Sequence, residues 1–141
     1  MNKNLLIVIA NYYRDISLGL LENAKKKIPK EYKIKIINVP GVFEIPVIIS
    51  KNIKKYNAFI ALGCVIKGQT PHFHYISKST IDAIMKMSIL YKKPIGNGII
   101  TCLNGSQARN RKKKGAEAAK AVISVLSQIW ELFLVQKITL E

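Results

Sequence analysis

Residues 58–65 read AFIALGCV, eight consecutive apolar or glycine positions without a charge. The run is too short for a typical helix, carries the aromatic Phe59 and the β-branched Ile60 and Val65, and is entered through the polar Lys54-Lys55-Tyr56-Asn57. A strand of this kind is buried on both faces, which is the habit of parallel sheets covered by helices. Leu5–Ala10, LLIVIA, is a second run of the same kind.

Outward from these two strands, apolar runs alternate with helical patterns. Ser17–Ile28 reads as a helix with Leu21, Ala24 and Ile28 on one face and Pro29 at its end. Tyr32–Val39 alternates apolar and polar residues and reads as a strand. "PGVFEIP" turns the chain, and Pro46 suits the first turn of a short helix to about Ile53. Ile76, Thr80, Ile84, Met87 and Tyr91 mark a long amphipathic helix. "PIGNGIIT", residues 94–101, is the fourth strand. A helical segment over Ser106–Lys113 precedes a last helix, Ala116–Leu134, whose stripe is Ala118, Val122, Val125, Ile129 and Leu132. Such alternation predicts a three-layer, doubly wound α/β sandwich around a four-stranded parallel sheet, in a single domain over residues 1–141.

Composition narrows the function classes. The chain has 141 residues, 49% of them hydrophobic and 22% charged, a globular balance. Its net charge is +15, from 23 Lys and Arg against 8 Asp and Glu. Lysine, isoleucine and asparagine are abundant throughout rather than on one segment, and no aromatic-basic recognition motif accompanies the charge, so the expectation is no nucleic-acid partner. Cys64 and Cys102 each sit in an apolar run without paired spacing, as reduced thiols of a cytoplasmic protein do. The opening "MNKNLLIVIANYY" does not read as a signal peptide, and no segment reads as long enough to span a membrane. A soluble, cytoplasmic protein with no membrane partner is the expectation.

In open parallel sheets, ligands bind beyond the carboxyl ends of the strands. Asn11-Tyr12-Tyr13 follows the first strand, Pro40-Gly41-Val42-Phe43-Glu44 the second, and "KGQTPHFHY", residues 67–75, the third. That edge therefore collects aromatics, an acid, cations and both histidines of the chain. His72 is the side-chain type that both takes and gives a proton near neutrality. His72 and His74 lack a third ligand nearby in sequence, so no metal is expected. Lys67-Gly68-Gln69-Thr70 offers backbone N–H groups, a hydroxyl and a cation that suit a phosphate, without the full pattern of a nucleotide-hydrolysing loop. Arg111 and Lys114, in "RNRKKKG", are either fixed charges for that phosphate or a solvated run. Glu44 reads as an acceptor for ligand hydroxyls or an acid at a helix start, and Tyr12 as a ring-stacking or core-capping aromatic.

Three segments, "VPGVFEIP", "ALGCVIKGQTPHFHY" and "IGNGIITCLNGSQARNR", resemble in order and spacing the signatures of the lumazine synthase family. The resemblance implies a flavodoxin-like strand order. It implies condensation of 5-amino-6-(D-ribitylamino)uracil with 3,4-dihydroxy-2-butanone 4-phosphate to 6,7-dimethyl-8-ribityllumazine, phosphate and water in riboflavin biosynthesis, with no cofactor. By the same resemblance His72 is the general acid/base and Tyr12 the ring-stacking aromatic. Val42, Phe43 and Glu44 hold the ribityl chain, and Cys64, Val65 and Ile66 line the pyrimidine. Gln69, Thr70 and Arg111 bind phosphate. Asn97 and Lys114 reach in with Arg111 from a neighbouring subunit of a homopentamer or a multiple of it. His74 stands where the family usually carries an acid.

Overall fold

A computed structural model describes residues 3–140, and a parallel sheet of four strands organises them. In chain order the elements are β1 (Asn4–Ala10), α1 (Arg14–Lys26), β2 (Lys33–Val39), a 3-10 turn (Val42–Glu44), α2 (Ile45–Asn52), β3 (Ala58–Ile66), α3 (His72–Tyr91), β4 (Ile95–Cys102), α4 (Gly105–Arg109) and α5 (Lys114–Leu140). The sheet order is β2-β1-β3-β4, the flavodoxin-like order. All pairings are parallel, with Ile7 opposite Ile36 on one side of β1 and Ile60 on the other.

Alternation along β1 divides the core. Leu5, Ile7 and Ile9 face α1 and α5, where they pack with Ile16, Leu20, Ala119 and Val122. Leu6, Val8 and Ala10 face α2 and α3, among Ile45, Ile49, Phe59 and Ile84. The strand is continuously apolar because both faces are covered, and each wholly buried Leu or Ile contributes ~1.5–3 kcal/mol relative to exposure. At its carboxyl end the buried Ser17 hydroxyl donates to the Ala10 carbonyl, fixing the turn into α1.

Three expectations are corrected by α5. Its buried residues are Gly115, Ala118, Ala119, Val122 and Leu126, whereas Val125 and Leu132 of the expected stripe are 43% and 64% exposed. Small residues do the packing because the helix lies close to its neighbours. A side chain at Gly115 would meet the Leu20 carbonyl of α1, and one at Gly96 would come within 2.7 Å of the Ala118 carbonyl. The helix also runs on to Leu140 rather than ending at Leu134. Contrary to the expectation that no segment is long enough, α5 is by length and composition able to cross a membrane, and only 22% of its most apolar stretch is buried in the fold. The smaller differences are that α1 starts at Arg14, α3 starts at His72, and helix in the 106–113 region is confined to Gly105–Arg109 before turns.

Candidate active site

Strand order creates the site. From β1 the chain crosses to β2 on one side and returns to β3 on the other, so a crevice opens where the carboxyl ends of β1 and β3 diverge. There lies a cavity of about 440 Å³ lined by Tyr12 and Tyr13 after β1, residues 41–44 after β2, Cys64, Val65 and Ile66 from β3, and His72 and Ile76 from α3. All eight of Tyr12, Val42, Phe43, Glu44, Cys64, Val65, Ile66 and His72, drawn from four separate stretches of chain, meet around one space.

Each side chain has a local reason to be there. Val42 is 6% exposed and anchors the 3-10 turn in the core, which leaves Phe43 at 59% exposure beside the cavity. Gly41 lets the Glu44 carboxylate fold back over its own turn; a side chain there would stand 3.2 Å from Glu44 Oε1. Tyr12 is exposed at the mouth and meets Tyr13 edge to face, with ring centroids 4.9 Å apart. Burial, with Tyr12 alongside, raises the Tyr13 phenol above its ordinary range, so it remains a neutral hydrogen-bonding group.

His72 is the first residue of α3, and its backbone N–H donates to Thr70 Oγ1 at 3.4 Å. One helical turn later Ile76 lines the same wall. His74, two residues on and therefore about 200° around the helix, packs edge to face on Phe73 and is absent from the cavity lining. Cys64 lies at the cavity with its thiol pushed up to about 12, first by burial and then by the neighbouring Cys102. A thiol so disfavoured as thiolate is a neutral wall, not a nucleophile.

The remaining sequence candidates lie elsewhere. Gln69 and Thr70 occupy an exposed loop whose Lys67 N–H bonds the Cys102 carbonyl at 2.8 Å; neither residue lines the cavity. Asn97, Arg111 and Lys114 line a second cleft of about 490 Å³ with Thr101, Asn110, Lys113 and Glu117. That cleft is cationic and polar. Arg111 Nη1 lies 3.5 Å from the Thr101 carbonyl, and Lys114 pairs with Glu117 at 3.5 Å, both on exposed surface. One chain therefore keeps His72 and Arg111 in two separate cavities. Among the described residues, no group of three His, Cys, Asp or Glu side chains gathers to hold a metal.

Sequence reasoning put Tyr13 and Gly41 at this edge without assigning either a role, and missed Ile76 as a lining residue. Ile76 was legible, since it stands one helical turn beyond His72, but its place in an apolar stripe marked it as core. Glu117 was legible only as the partner of Lys114 three residues earlier on α5.

The sequence matches the family profile described as 6,7-dimethyl-8-ribityllumazine synthase over residues 2–129. A relative from Rhodopseudomonas palustris named 6,7-dimethyl-8-ribityllumazine synthase 1 is 40% identical over 134 residues, covering 86% of this chain and 82% of its own length. One from Agrobacterium fabrum is 38% identical, covering 87% and 92%. A third, from Bartonella bacilliformis, is 37% identical over 90% of both chains, and both of these carry the name 6,7-dimethyl-8-ribityllumazine synthase. With the profile spanning nearly the whole fold and the motif residues assembled at one sheet edge, the chain belongs to the 6,7-dimethyl-8-ribityllumazine synthase family of transferases.

Proposed function

We propose that this protein condenses 5-amino-6-(D-ribitylamino)uracil with 3,4-dihydroxy-2-butanone 4-phosphate to give 6,7-dimethyl-8-ribityllumazine, phosphate and water. The observation that carries the reading is the convergence of an aromatic, a carboxylate and an imidazole on one cavity built from four chain segments. Tyr12 stacks on the pyrimidine, Val65 and Ile66 hold its apolar flank, and Glu44 accepts hydrogen bonds from the ribityl hydroxyls. The substrate amine attacks the ketone, phosphate leaves, and the ring closes with loss of water. His72 takes and returns the protons of these steps, a role that imidazole fills near neutral pH.

The phosphorylated substrate needs fixed positive charge, which the first cavity lacks. Arg111 provides a planar fork for phosphate, and Lys114 a second cation. They line the other cleft, so joining the two substrates requires a second copy to bring its Asn97, Arg111 and Lys114 against the Gln69-Thr70 loop of the first. A homopentamer or a multiple of it, as the family resemblance implies, supplies that arrangement. Apolar surface for subunit contacts is available: Met85, Ile89 and Leu90 on α3 are 58–69% exposed, beside a groove floored by Ile95, Val122, Val125 and Ile129.

Steady-state formation of the lumazine chromophore from the two substrates, against a no-enzyme control, tests the reading. Turnover above the control that falls in His72→Ala while oligomer size is unchanged is the expected result. No excess over the control from assembled protein, with a ribityl-pyrimidine analogue still bound, would make the chain a binding protein on this scaffold instead.

A further inference from the structure

The last third of α5 is unlike the rest of the fold. Leu126 is the last fully buried residue of α5 among those described and Trp130 the last that packs on the fold; beyond it the helix continues through Leu140, about 15 Å at 1.5 Å per residue. The family match covers residues 2–129, so the segment from Trp130 lies outside it. Residues 131–140 are all exposed. Leu132, Phe133, Leu134, Val135, Ile138 and Leu140 are between 48% and 87% exposed. At 100° per residue those six side chains point all round the axis, not along one stripe.

A helix apolar on every side needs an apolar surrounding, not a partner groove, because one neighbouring helix would cover a single face. The surroundings of its base supply a second signal. Trp130 packs on Tyr32, with ring centroids 5.8 Å apart, and the Lys3 ammonium lies 5.0 Å from the Trp130 ring centroid. The Lys3 ammonium also lies 5.6 Å from the Tyr32 ring centroid, so a cation caps the root of the tail, and Lys30 with Glu31 immediately precedes Tyr32 in the chain. This root lies at the amino ends of β1 and β2, the sheet edge opposite the active-site cavity.

We propose that the α5 tail, residues 130–140, docks the protein on an anionic lipid bilayer, the apolar helix entering the headgroup–acyl boundary and the basic root facing the lipid phosphates. About 16 Å of helix is half of a ~30 Å hydrocarbon core, which suits one leaflet and not a span. Charge complements the lipid: the whole chain carries +15. Docked this way, the active-site edge faces away from the membrane and remains open to soluble substrates.

Flotation of the full chain with vesicles of phosphatidylcholine alone, or containing phosphatidylglycerol, tests the proposal. The expected result is at least about tenfold more protein on the anionic vesicles, reduced by high salt. Trp130 is the chain's single tryptophan, so its emission should shift to the blue only with those vesicles. The variant L132S/F133S/I138S should lose flotation and the blue shift, yet keep lumazine-forming turnover and circular dichroism unchanged. Absence of wild-type protein from both vesicle types would overturn the proposal. So would a variant that still floats, or one that loses only oligomer size, which would assign the tail to contacts between copies.

Discussion

The carboxyl and amino edges of the sheet present opposite surfaces. At the carboxyl edge, Tyr12, Glu44 and His72 stand in the segments that follow three strand ends, and the order of the parallel strands brings them around one cavity. At the amino edge, α5 outruns the sheet and carries apolar side chains in every direction. The first surface is positional, so moving one side chain removes a function. The second is collective and depends on total apolar area, so any single residue matters little. Substitutions at the two edges should therefore fail in different ways.

The largest effect should come at the carboxyl edge. His72→Ala is expected to lower kcat by about a hundredfold or more, the usual contribution of a positioned acid/base, with assembly intact. The matching test at the other edge is that L132S/F133S/I138S changes turnover by less than about twofold, since none of these side chains supports the sheet. Equal losses from both would erase the distinction. Next, Arg111→Ala should raise KM for the phosphorylated substrate by roughly tenfold to a hundredfold while leaving the uracil substrate nearly unaffected, a charge-assisted bond being worth about 1.5–3 kcal/mol. Equal weakening of both substrates would contradict its role.

Stability separates the base of α5 from its tail. Gly115→Ala drives a methyl group into the Leu20 carbonyl where α1 and α5 touch, and should cost about 1–3 kcal/mol, read as a lowered Tm. The tail variant should leave Tm unchanged. The smallest effect concerns pH. The folded Cys64 thiol is raised from 9.0 to about 12, so folding binds this proton more tightly than the unfolded chain does. That contribution is complete below pH 9 and is lost as pH rises from about 9 toward 12. Denaturant titrations across that range should show a shallower decline in Cys64→Ala than in the wild type.

Legibility in the sequence follows the same division. AFIALGCV and LLIVIA announced buried parallel strands because continuous apolar runs have few other uses, and the strand ends then located the cavity residues. The family motifs extended this to Asn97, Arg111 and Lys114, whose cleft no local pattern connects with His72. Ala118 and Val122 were read correctly on the buried face of α5, but Gly115 and Ala119 were missed because they look weakly hydrophobic, whereas close approach to β4 and α1 requires small side chains. Val125 and Leu132 outranked them in apolarity yet lie exposed. The tail's end was misread for a related reason. A helix apolar all round has no periodicity to show where its packed part stops.

The measurement that bears most directly on the shared site is complementation between two inactive proteins. His72→Ala and Arg111→Ala chains would be prepared separately and also co-expressed, then assayed for lumazine formation at equal total protein. In mixed oligomers, an Arg111→Ala copy contributes an intact His72 cavity and its His72→Ala neighbour an intact Arg111 cleft. About one interface in four should then be restored by random pairing, with activity far above either variant alone. Mixed oligomers no more active than the separate variants would contradict a site built from two copies.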